Sequence, residues 1–268
     1  MRALSTRTLV ISSLLGLPLF FGSCQKVVNV DLKNAAPRLV VEAEISDVPG
    51  LLSHHVFLSK TTSFSSVGNS VPVTGALVIV SDSTSNITDT LREAKPGDYV
   101  TTGILGISGH TYSLSVKSED QWYYASATMP KVVPFDSLYT EEFSFFGNKI
   151  LQFIPVFNDP PAEENFYRFL VQVNDSIQND IEAWDDDLTN GKTNSRPINE
   201  GNQDLFHGND TVIIEMRCIN KGAFEFFNSM GNASGGAQTP ANPQSNVSNG
   251  ALGYFGTHTT RKRSIIVP

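Results

Sequence analysis

A short acidic run, AWDDDLTNGK, offers the carboxylate and amide oxygens that a calcium ion prefers. A calcium loop that begins at Asp185 needs a glycine at its sixth position and a bidentate glutamate at its twelfth. The chain has Asn190 and Arg196 at those positions, so two requirements fail. A looser calcium site at Asp185 and Asp187 stays open as an alternative to a solvated acidic loop.

Trp184 stands at the start of this acidic run, and its polar neighbours predict an exposed ring. Tryptophan is enriched among the residues that dominate binding energy at interfaces, and loops on a rigid scaffold often carry recognition. We therefore expect the loop at 184–191 to contact a ligand or a partner protein. The candidate contact residues are Trp184, Asp185, Asp187 and Asn190.

The residue types that most often carry catalysis show no catalytic spacing. No two histidines have the i, i+4 spacing of a helical zinc site, and no Gly-x-Ser-x-Gly elbow occurs. The glycines of GILGISGHTY precede no predicted helix, so they indicate a tight bend rather than a phosphate loop. We expect no enzyme, no cofactor and no dedicated metal site. The histidines are His54, His55, His110, His207 and His258.

Trp122, Tyr123 and Tyr124 are consecutive aromatic residues in a predicted strand. Successive side chains of a strand point to opposite faces, so at least one ring faces outward. Core packing with a single exposed ring is the simpler interpretation. A sugar-binding face is the alternative, since sugar-binding modules use exposed aromatic rings.

The first segment of the chain has the features of an export signal. Arg2 and Arg7 precede the apolar stretch TLVISSLLGLPLFFG, which is shorter than the about 20 apolar residues of a membrane-spanning helix. The letters FGSC resemble a bacterial lipobox, in which a diacylglycerol is joined to the cysteine before the signal is cleaved. We predict a signal peptide over 1–23 and lipidation of Cys24, against a plain signal with an incidental cysteine.

Lipidation of Cys24 would tether the chain to a bilayer, because two or three acyl chains bind almost irreversibly. Gln25 follows the cysteine where an aspartate would favour inner-membrane retention, so we expect an outer-membrane location. The segment 24–37 is the expected spacer. Whether the protein faces the periplasm or the exterior stays open. Cys218, left without a disulfide partner, is interpreted as a small buried side chain.

The charge balance argues against nucleic acid as a partner. The formal net charge is -8, and the basic cluster Arg261, Lys262 and Arg263 lies in what we predict to be the last strand. Without a basic stripe, counterion release from phosphates cannot drive binding. An edge or exposed strand face explains the cluster.

Short apolar or alternating segments between turn signals predict an all-β fold. We expect an immunoglobulin-like or transthyretin-like β-sandwich at 38–133 and a second β-sandwich module at 134–268. The segment KGAFEFFNSMG predicts one short helix in the second module, because Phe224, Phe227 and Met230 recur every three residues. The Gly-, Asn- and Ser-rich tract around 231–250 is predicted to be a long loop and a further recognition surface.

Five Asp-Ser/Thr triplets resemble the O-glycosylation acceptor of exported Bacteroidota proteins. They begin at Asp82, Asp89, Asp136, Asp175 and Asp210.

Taken with the lipobox, the segments RLVVEAEIS, VTGALVIVSD, GHTYSLSV, YYASATMP, FNDPPAEENFYRF and NPQSNVSNGALGYFG resemble domain-of-unknown-function family 4249. The resemblance covers the mature chain from about Val27 and implies a lipoprotein of the Bacteroidota. Such genes often neighbour TonB-dependent receptors, which implies an accessory role in uptake. No catalytic or binding residue carries over from the family.

We therefore expect a lipid-anchored outer-membrane binding or accessory protein, with a TonB-dependent receptor as partner and an unknown ligand. A structural or adhesive surface lipoprotein is the main alternative. A glycan-active hydrolase with paired carboxylates is a less favoured one.

Overall fold

The alternating apolar and polar segments form strands in the computed structural model. It describes residues 36–48, 54–62, 70–146, 148–161, 163–178, 181–198, 206–234 and 242–268. The predictions for the signal peptide, Cys24 and the spacer up to residue 35 lie outside these ranges.

In the described ranges, nine strands precede residue 133. They are β1 (Leu39–Ser46), β2 (His54–Lys60), β3 (Val71–Pro72), β4 (Leu77–Asp82), β5 (Ile87–Thr90), β6 (Arg92–Lys95), β7 (Asp98–Thr101), β8 (Thr111–Ser118) and β9 (Gln121–Thr128).

Eight strands and one helix follow in the described ranges. They are β10 (Ser137–Phe145), β11 (Asn148–Asn158), β12 (Phe166–Val173), β13 (Ser176–Ile177), β14 (Glu182–Asp185), β15 (Thr193–Asn194), β16 (Thr211–Ile219), α1 (Lys221–Ser234) and β17 (Leu252–Ile266).

The largest sheet has ten strands and draws on both halves of the chain. Its order is β13-β12-β16-β17-β1-β2-β7-β6, with β14 also pairing with β12 and β3 with β2. The last strand, β17, lies between β1 and β16, parallel to β1 and antiparallel to β16. A four-stranded sheet (β5-β4-β8-β9) and a three-stranded sheet (β10-β11-β15) complete the fold.

Each smaller sheet packs on the ten-stranded sheet through its own apolar core. The first core combines side chains of β1, β2 and β7 with those of β4, β8 and β9. The second combines side chains of β12 and β16 with those of β11. The predicted all-β class, with sandwich modules and a single helix, is confirmed. The domain boundary near residue 133 stays a prediction. Apart from Val247, Ala251 and Phe255, the buried residues of the first core all lie at or before Met129, and those of the second core begin at Val133.

Helix α1 covers part of the opposite face of the ten-stranded sheet. Phe224 stacks on Phe166 of β12 with ring centroids 4.7 Å apart, and Phe226 stacks on Tyr254 of β17 at 4.7 Å. The helix ends at Ser234, so it is longer than predicted and takes up the start of the tract that we expected to be a loop. Residues 235–241 of that tract lie outside the described ranges.

Two further elements differ from the sequence-based expectations. The segments ALGYFGTHTT and RSIIVP predict two separate strands, but they belong to one continuous strand, β17, which pairs with β16 along Thr211–Ile219. The acidic run begins inside a strand, β14, which pairs with β12 at Tyr167–Trp184.

Candidate functional site: a charged cleft on the ten-stranded sheet

Beside helix α1, four neighbouring strands of the ten-stranded sheet form an open cleft of about 550 Å³. Alternation along a strand places every second residue on this face, while the residues between them enter the cores. Most of the lining residues are polar or charged. They are Glu42, Ala43, Glu44, Ser46, Val48, His54, His55, Phe57, Glu215, Arg217, Tyr254, His258 and Lys262, and we call this the sheet cleft.

Glu44 is the centre of the floor of the sheet cleft. Its Oε2 accepts a hydrogen bond from Arg217 Nη1 at 2.8 Å, and its Oε1 accepts one from the Tyr254 hydroxyl at 2.8 Å. Arg168 Nη1 lies 3.6 Å from Oε1, and His258 Nδ1 lies 3.9 Å from Oε2. Strands β1, β12, β16 and β17 therefore each contribute to one part-buried ionic network.

Glu215 extends this network toward the mouth of the cleft. Its Oε1 accepts a hydrogen bond from Arg217 Nε at 2.6 Å, and its Oε2 lies 2.6 Å from Lys262 Nζ. Arg217 thus bridges both carboxylates. Charge-assisted pairs of this kind are stronger than neutral hydrogen bonds and hold planar groups in fixed orientations.

The network shifts the protonation of its members. Burial raises the pKa of Glu44, but the protonated form of His258, the charges of Arg217 and Arg168 and the Tyr254 hydrogen bond together bring it below its usual value. Burial opposes the charge of Arg217, and the two carboxylates reverse this and raise its pKa. Burial lowers the pKa of His258 to about 4 despite the nearby Glu44. At neutral pH the floor therefore holds charged Glu44 and Arg217 beside a neutral imidazole.

The rim of the sheet cleft is aromatic. The rings of His55 and Phe57 stack with centroids 5.6 Å apart, and Phe57 is 48% exposed. His55 Nδ1 is fixed by Asp98 Oδ1 at 2.7 Å. Deeper in, the Nε2 atom of His54 is buried and has no hydrogen-bond partner among the described residues. An aromatic rim over fixed polar groups is typical of a ligand site, and the volume lies within the usual range of such sites.

These groups suit binding better than catalysis. The carboxylates of Glu44 and Glu215 are engaged by Arg217, and the hydroxyl of Ser46 accepts a hydrogen bond from the Val48 amide at 3.2 Å. A general base must be within hydrogen-bond reach of the proton that it removes, with a pKa near the working pH. His258, with a pKa of about 4, does not meet the second condition at neutral pH.

A second cluster has the residue types of a catalytic triad but not its geometry. Asp82 Oδ2 and the hydroxyl of Ser85 both lie near Nδ1 of His110, at 2.8 and 3.3 Å. In a triad the acid and the nucleophile contact different ring nitrogens. Here Asp82 also accepts hydrogen bonds from the Thr84 and Ser85 amides, so the cluster closes the turn between β4 and β5.

The prediction of an exposed Trp184 is wrong. Its ring is 2% exposed and packs against Phe169 with centroids 4.3 Å apart, while Arg196 lies over its face at 4.7 Å. Its indole Nε1 donates to Glu182 Oε2 at 2.8 Å. Pairing of β14 with β12 turns the ring into the second core, so Trp184 is a core residue rather than a contact residue.

The acidic loop after Trp184 is organised by Asp186. The buried side-chain carboxylate of Asp186 accepts a hydrogen bond from the Asn165 amide at 3.0 Å. The backbone carbonyl of Asp186 accepts hydrogen bonds from the amides of Thr189 and Asn190 at 2.8 and 2.7 Å. Asp185, Asp187 and Asn190 stay at the surface as candidate contacts. The part of the chain that the structure describes contains no group of three or more His, Cys, Asp or Glu side chains placed to hold a metal ion.

The remaining sequence-based candidates lie apart from the sheet cleft. Cys218 is buried in β16, as expected, and burial raises the pKa of its thiol to about 11. The Ser or Thr of each of the five acceptor triplets is exposed. None of the described helices is long and apolar enough to span a bilayer.

Sequence reasoning missed the sheet cleft. The local signal is that two otherwise apolar strands each carry two charged residues that are two positions apart. These are Glu42 and Glu44 in β1, and Glu215 and Arg217 in β16. Such spacing places both charges on one face of a strand that otherwise enters a core. The strands that bring these pairs together are distant in the chain, so the pairs were not connected.

Comparison with protein-family models identifies a family for this chain. A family model described as Domain of unknown function (DUF4249) matches residues 25–264, which is nearly the whole chain. No curated protein matches the chain.

Proposed function

The chain belongs to the DUF4249 family, and because that family's description names no activity, we propose a function from the residues themselves. The protein is a lipid-anchored, non-enzymatic binding component at the outer membrane that serves a TonB-dependent uptake system. Cys24 is its attachment point, and the sheet cleft is its ligand site.

The binding role depends on one observation, the Glu44–Arg217–Glu215 network on the floor of the sheet cleft. Its charges are held by one another at 2.6–2.8 Å and by neighbouring strands, so they present fixed dipoles to a ligand without reorganising. Preorganised polar groups under an aromatic rim favour affinity and orientation of a polar ligand. The same mutual engagement occupies the carboxylates of Glu44 and Glu215, so neither is free to act as a catalytic acid or base.

The tether is tested with the two cysteines of the chain. Cys24→Ala should be processed abnormally and should leave the membrane fraction, because acyl chains supply about 0.8 kcal/mol per buried methylene. Cys218→Ala is the matched control and should stay anchored, since its thiol is buried in β16. A Cys24→Ala protein that is processed normally and stays with the membrane would refute the anchor.

The uptake role is tested by extraction of the native protein in mild detergent. We expect a TonB-dependent receptor barrel to co-purify with it, and the Cys24→Ala variant to lose that association. Repeated absence of any receptor from the purified protein would contradict the uptake role and favour the structural or adhesive alternative.

A further inference from the structure

The outer face of the four-stranded sheet carries an aromatic pair that the sheet cleft does not use. Trp122 and Tyr124 lie two residues apart on β9, so both rings are on the same face. Their planes are 6° from parallel with centroids 6.0 Å apart, and Tyr124 is 49% exposed. Rings kept at the surface in this way offer flat apolar area to a ligand.

Hydroxyl groups continue this face along the sheet. Tyr124 lies opposite Ser115 of β8, and the next pair on the same face is Ser126 with Ser113. Beyond them, the hydroxyls of Thr111 and Thr128 are 2.8 Å apart. The Ser126 hydroxyl donates to the Tyr112 carbonyl at 3.1 Å, so its oxygen can still accept a hydrogen bond from a hydroxyl group of a ligand.

A polar cleft of about 660 Å³ begins beside Trp122, at the turn between β8 and β9. Its polar side chains include those of Asp120, Gln121 and Asn249, and the Gln121 amide donates one hydrogen bond to the Asn249 carbonyl at 3.2 Å. Its two other charged residues, Lys60 and Glu119, pair with each other at 2.5 Å. The cleft therefore offers amide and carboxylate hydrogen bonds next to an aromatic ring, with little net charge.

The backbone under the aromatic pair is held in place by the segment before β17. The side-chain amide of Asn249 donates to the Trp122 carbonyl at 2.7 Å, and the Tyr124 amide donates to the Ser248 hydroxyl at 2.8 Å. This segment covers the edge of β9, which fixes the strand that carries both rings. A preorganised surface loses less entropy when it binds a ligand.

We propose that the Trp122–Tyr124 face and the adjoining polar cleft bind a neutral oligosaccharide. A pyranose ring has an apolar C–H face that stacks on an aromatic ring and a rim of hydroxyls that pair with amides, carboxylates and hydroxyls. The surface offers both in adjacent positions. Its charges balance, because Lys117, whose Nζ is 5.9 Å from the Trp122 ring centroid, offsets Asp120, and Lys60 pairs with Glu119. None of these residues lines the sheet cleft, so this site is independent of the proposed uptake function.

The test is affinity electrophoresis of the full mature protein in mild detergent through gels that contain hydroxyethylcellulose, xylan or galactomannan. We expect at least one polysaccharide to retard the protein. Trp122→Ala and Tyr124→Ala should each weaken that retardation on the order of tenfold, as truncation of a central aromatic contact does. Trp122 fluorescence should change on titration with the same polysaccharide, because the only other tryptophan, Trp184, is buried.

Tyr139→Ala is the control, since Tyr139 is 39% exposed but lies on β10 in a different sheet. It should be retarded like the wild type, and thermal melting should show that all three variants are folded. Migration unchanged by all three polysaccharides would overturn the proposal. Equal retardation of folded Trp122→Ala and wild-type protein would overturn it as well. Loss of the Cys24 anchor or of a receptor partner would leave this result unchanged.

Discussion

Arg217 Nη1 donates a hydrogen bond to Glu44 Oε2 at 2.8 Å across a strand that separates them, although the two residues are 173 positions apart. Glu44 is on β1 and Arg217 on β16, with β17 between them. The β17 residue opposite Glu44 is Gly256, which has no side chain to block the crossing. The ion pair thus links the first and the second half of the chain on the face opposite the cores.

Removing one charge of this pair should destabilise the protein. Glu44→Gln keeps the size of the side chain but leaves Arg217 and Arg168 without their shared carboxylate. Loss of one partner of a buried pair costs about 3–5 kcal/mol, and partial exposure reduces this here to about 2–3 kcal/mol. Urea denaturation measures the change in the free energy of unfolding.

Glu142→Gln is the matched control for that substitution. Glu142 pairs with Lys149 at 2.7 Å, but both side chains are well exposed. Its loss should change the free energy of unfolding by about 0.5 kcal/mol or less. Equal effects of the two variants would contradict a structural role for the Glu44 network.

Stability should fall as the pH drops from about 6.5 toward 4. Burial lowers the pKa of His258 from 6.5 to about 4, so the unfolded chain binds the proton more readily between those values. The contribution of His258 is therefore fully present above pH 6.5 and is lost as the pH approaches 4, by about 2–3 kcal/mol.

His258→Gln should flatten this pH dependence in thermal or urea melts recorded from pH 7.5 to 4.5. The exposed His207 provides the comparison, and His207→Gln should keep the wild-type slope. A His258→Gln protein with the same slope as the wild type would show that the imidazole titrates normally.

The fold was predictable where the signal is local. The segment TYSLSVKS alternates between apolar and polar residues, and β8 covers the same eight residues, Thr111–Ser118. The phenylalanine spacing likewise located the helix that begins at Lys221. Such patterns reflect which face of an element is buried, and this is visible within one segment.

The candidate site was not predictable because it depends on pairing between distant segments. β1 and β17 pair over a long separation in the chain, for example at Val40 with Leu252 and at Glu44 with Gly256. The prediction that the Trp184 ring is exposed was wrong for the same reason. Its neighbours in sequence are acidic, but its neighbours in space are Phe169 and Tyr167. Local polarity gave no information on either pairing.

Trp184→Ala should reduce stability rather than affinity. Removal of a fully buried tryptophan leaves a cavity and costs about 3–5 kcal/mol. Leu188→Ala, in the loop just after it, should change stability by about 0.5 kcal/mol or less, since Leu188 is 87% exposed. Chemical denaturation of both variants checks this. A stable Trp184→Ala protein would restore the surface interpretation of the ring.

Gly253→Ala should disrupt the pairing of β1 with β17. Gly253 has φ +87°, and an added Cβ would lie 1.9 Å from the Val41 carbonyl oxygen on β1. Backbone atoms cannot move aside cheaply, so we expect a loss of at least about 3 kcal/mol. The readout is the melting temperature of the purified variant.

Gly109→Ala separates the backbone conformation from the collision. Gly109 has a similar φ of +83°, but no heavy atom lies within 4 Å of the added Cβ. Its cost should be limited to the left-handed conformation, about 1–2 kcal/mol. Similar losses for the two variants would contradict the close approach of β1 and β17.

The position of β17 also determines when the ten-stranded sheet can be completed. β1 pairs with the nearby β2 on one side, but its second edge is paired only when β17, far along the chain, lies beside it. Pairings between distant segments form slowly, and a strand with an open edge is prone to wrong partners. Until residues 252–266 are in place, the part of the largest sheet that contains β1 is not joined to the part that contains β16. The largest sheet is therefore complete only after β17 has inserted between β1 and β16.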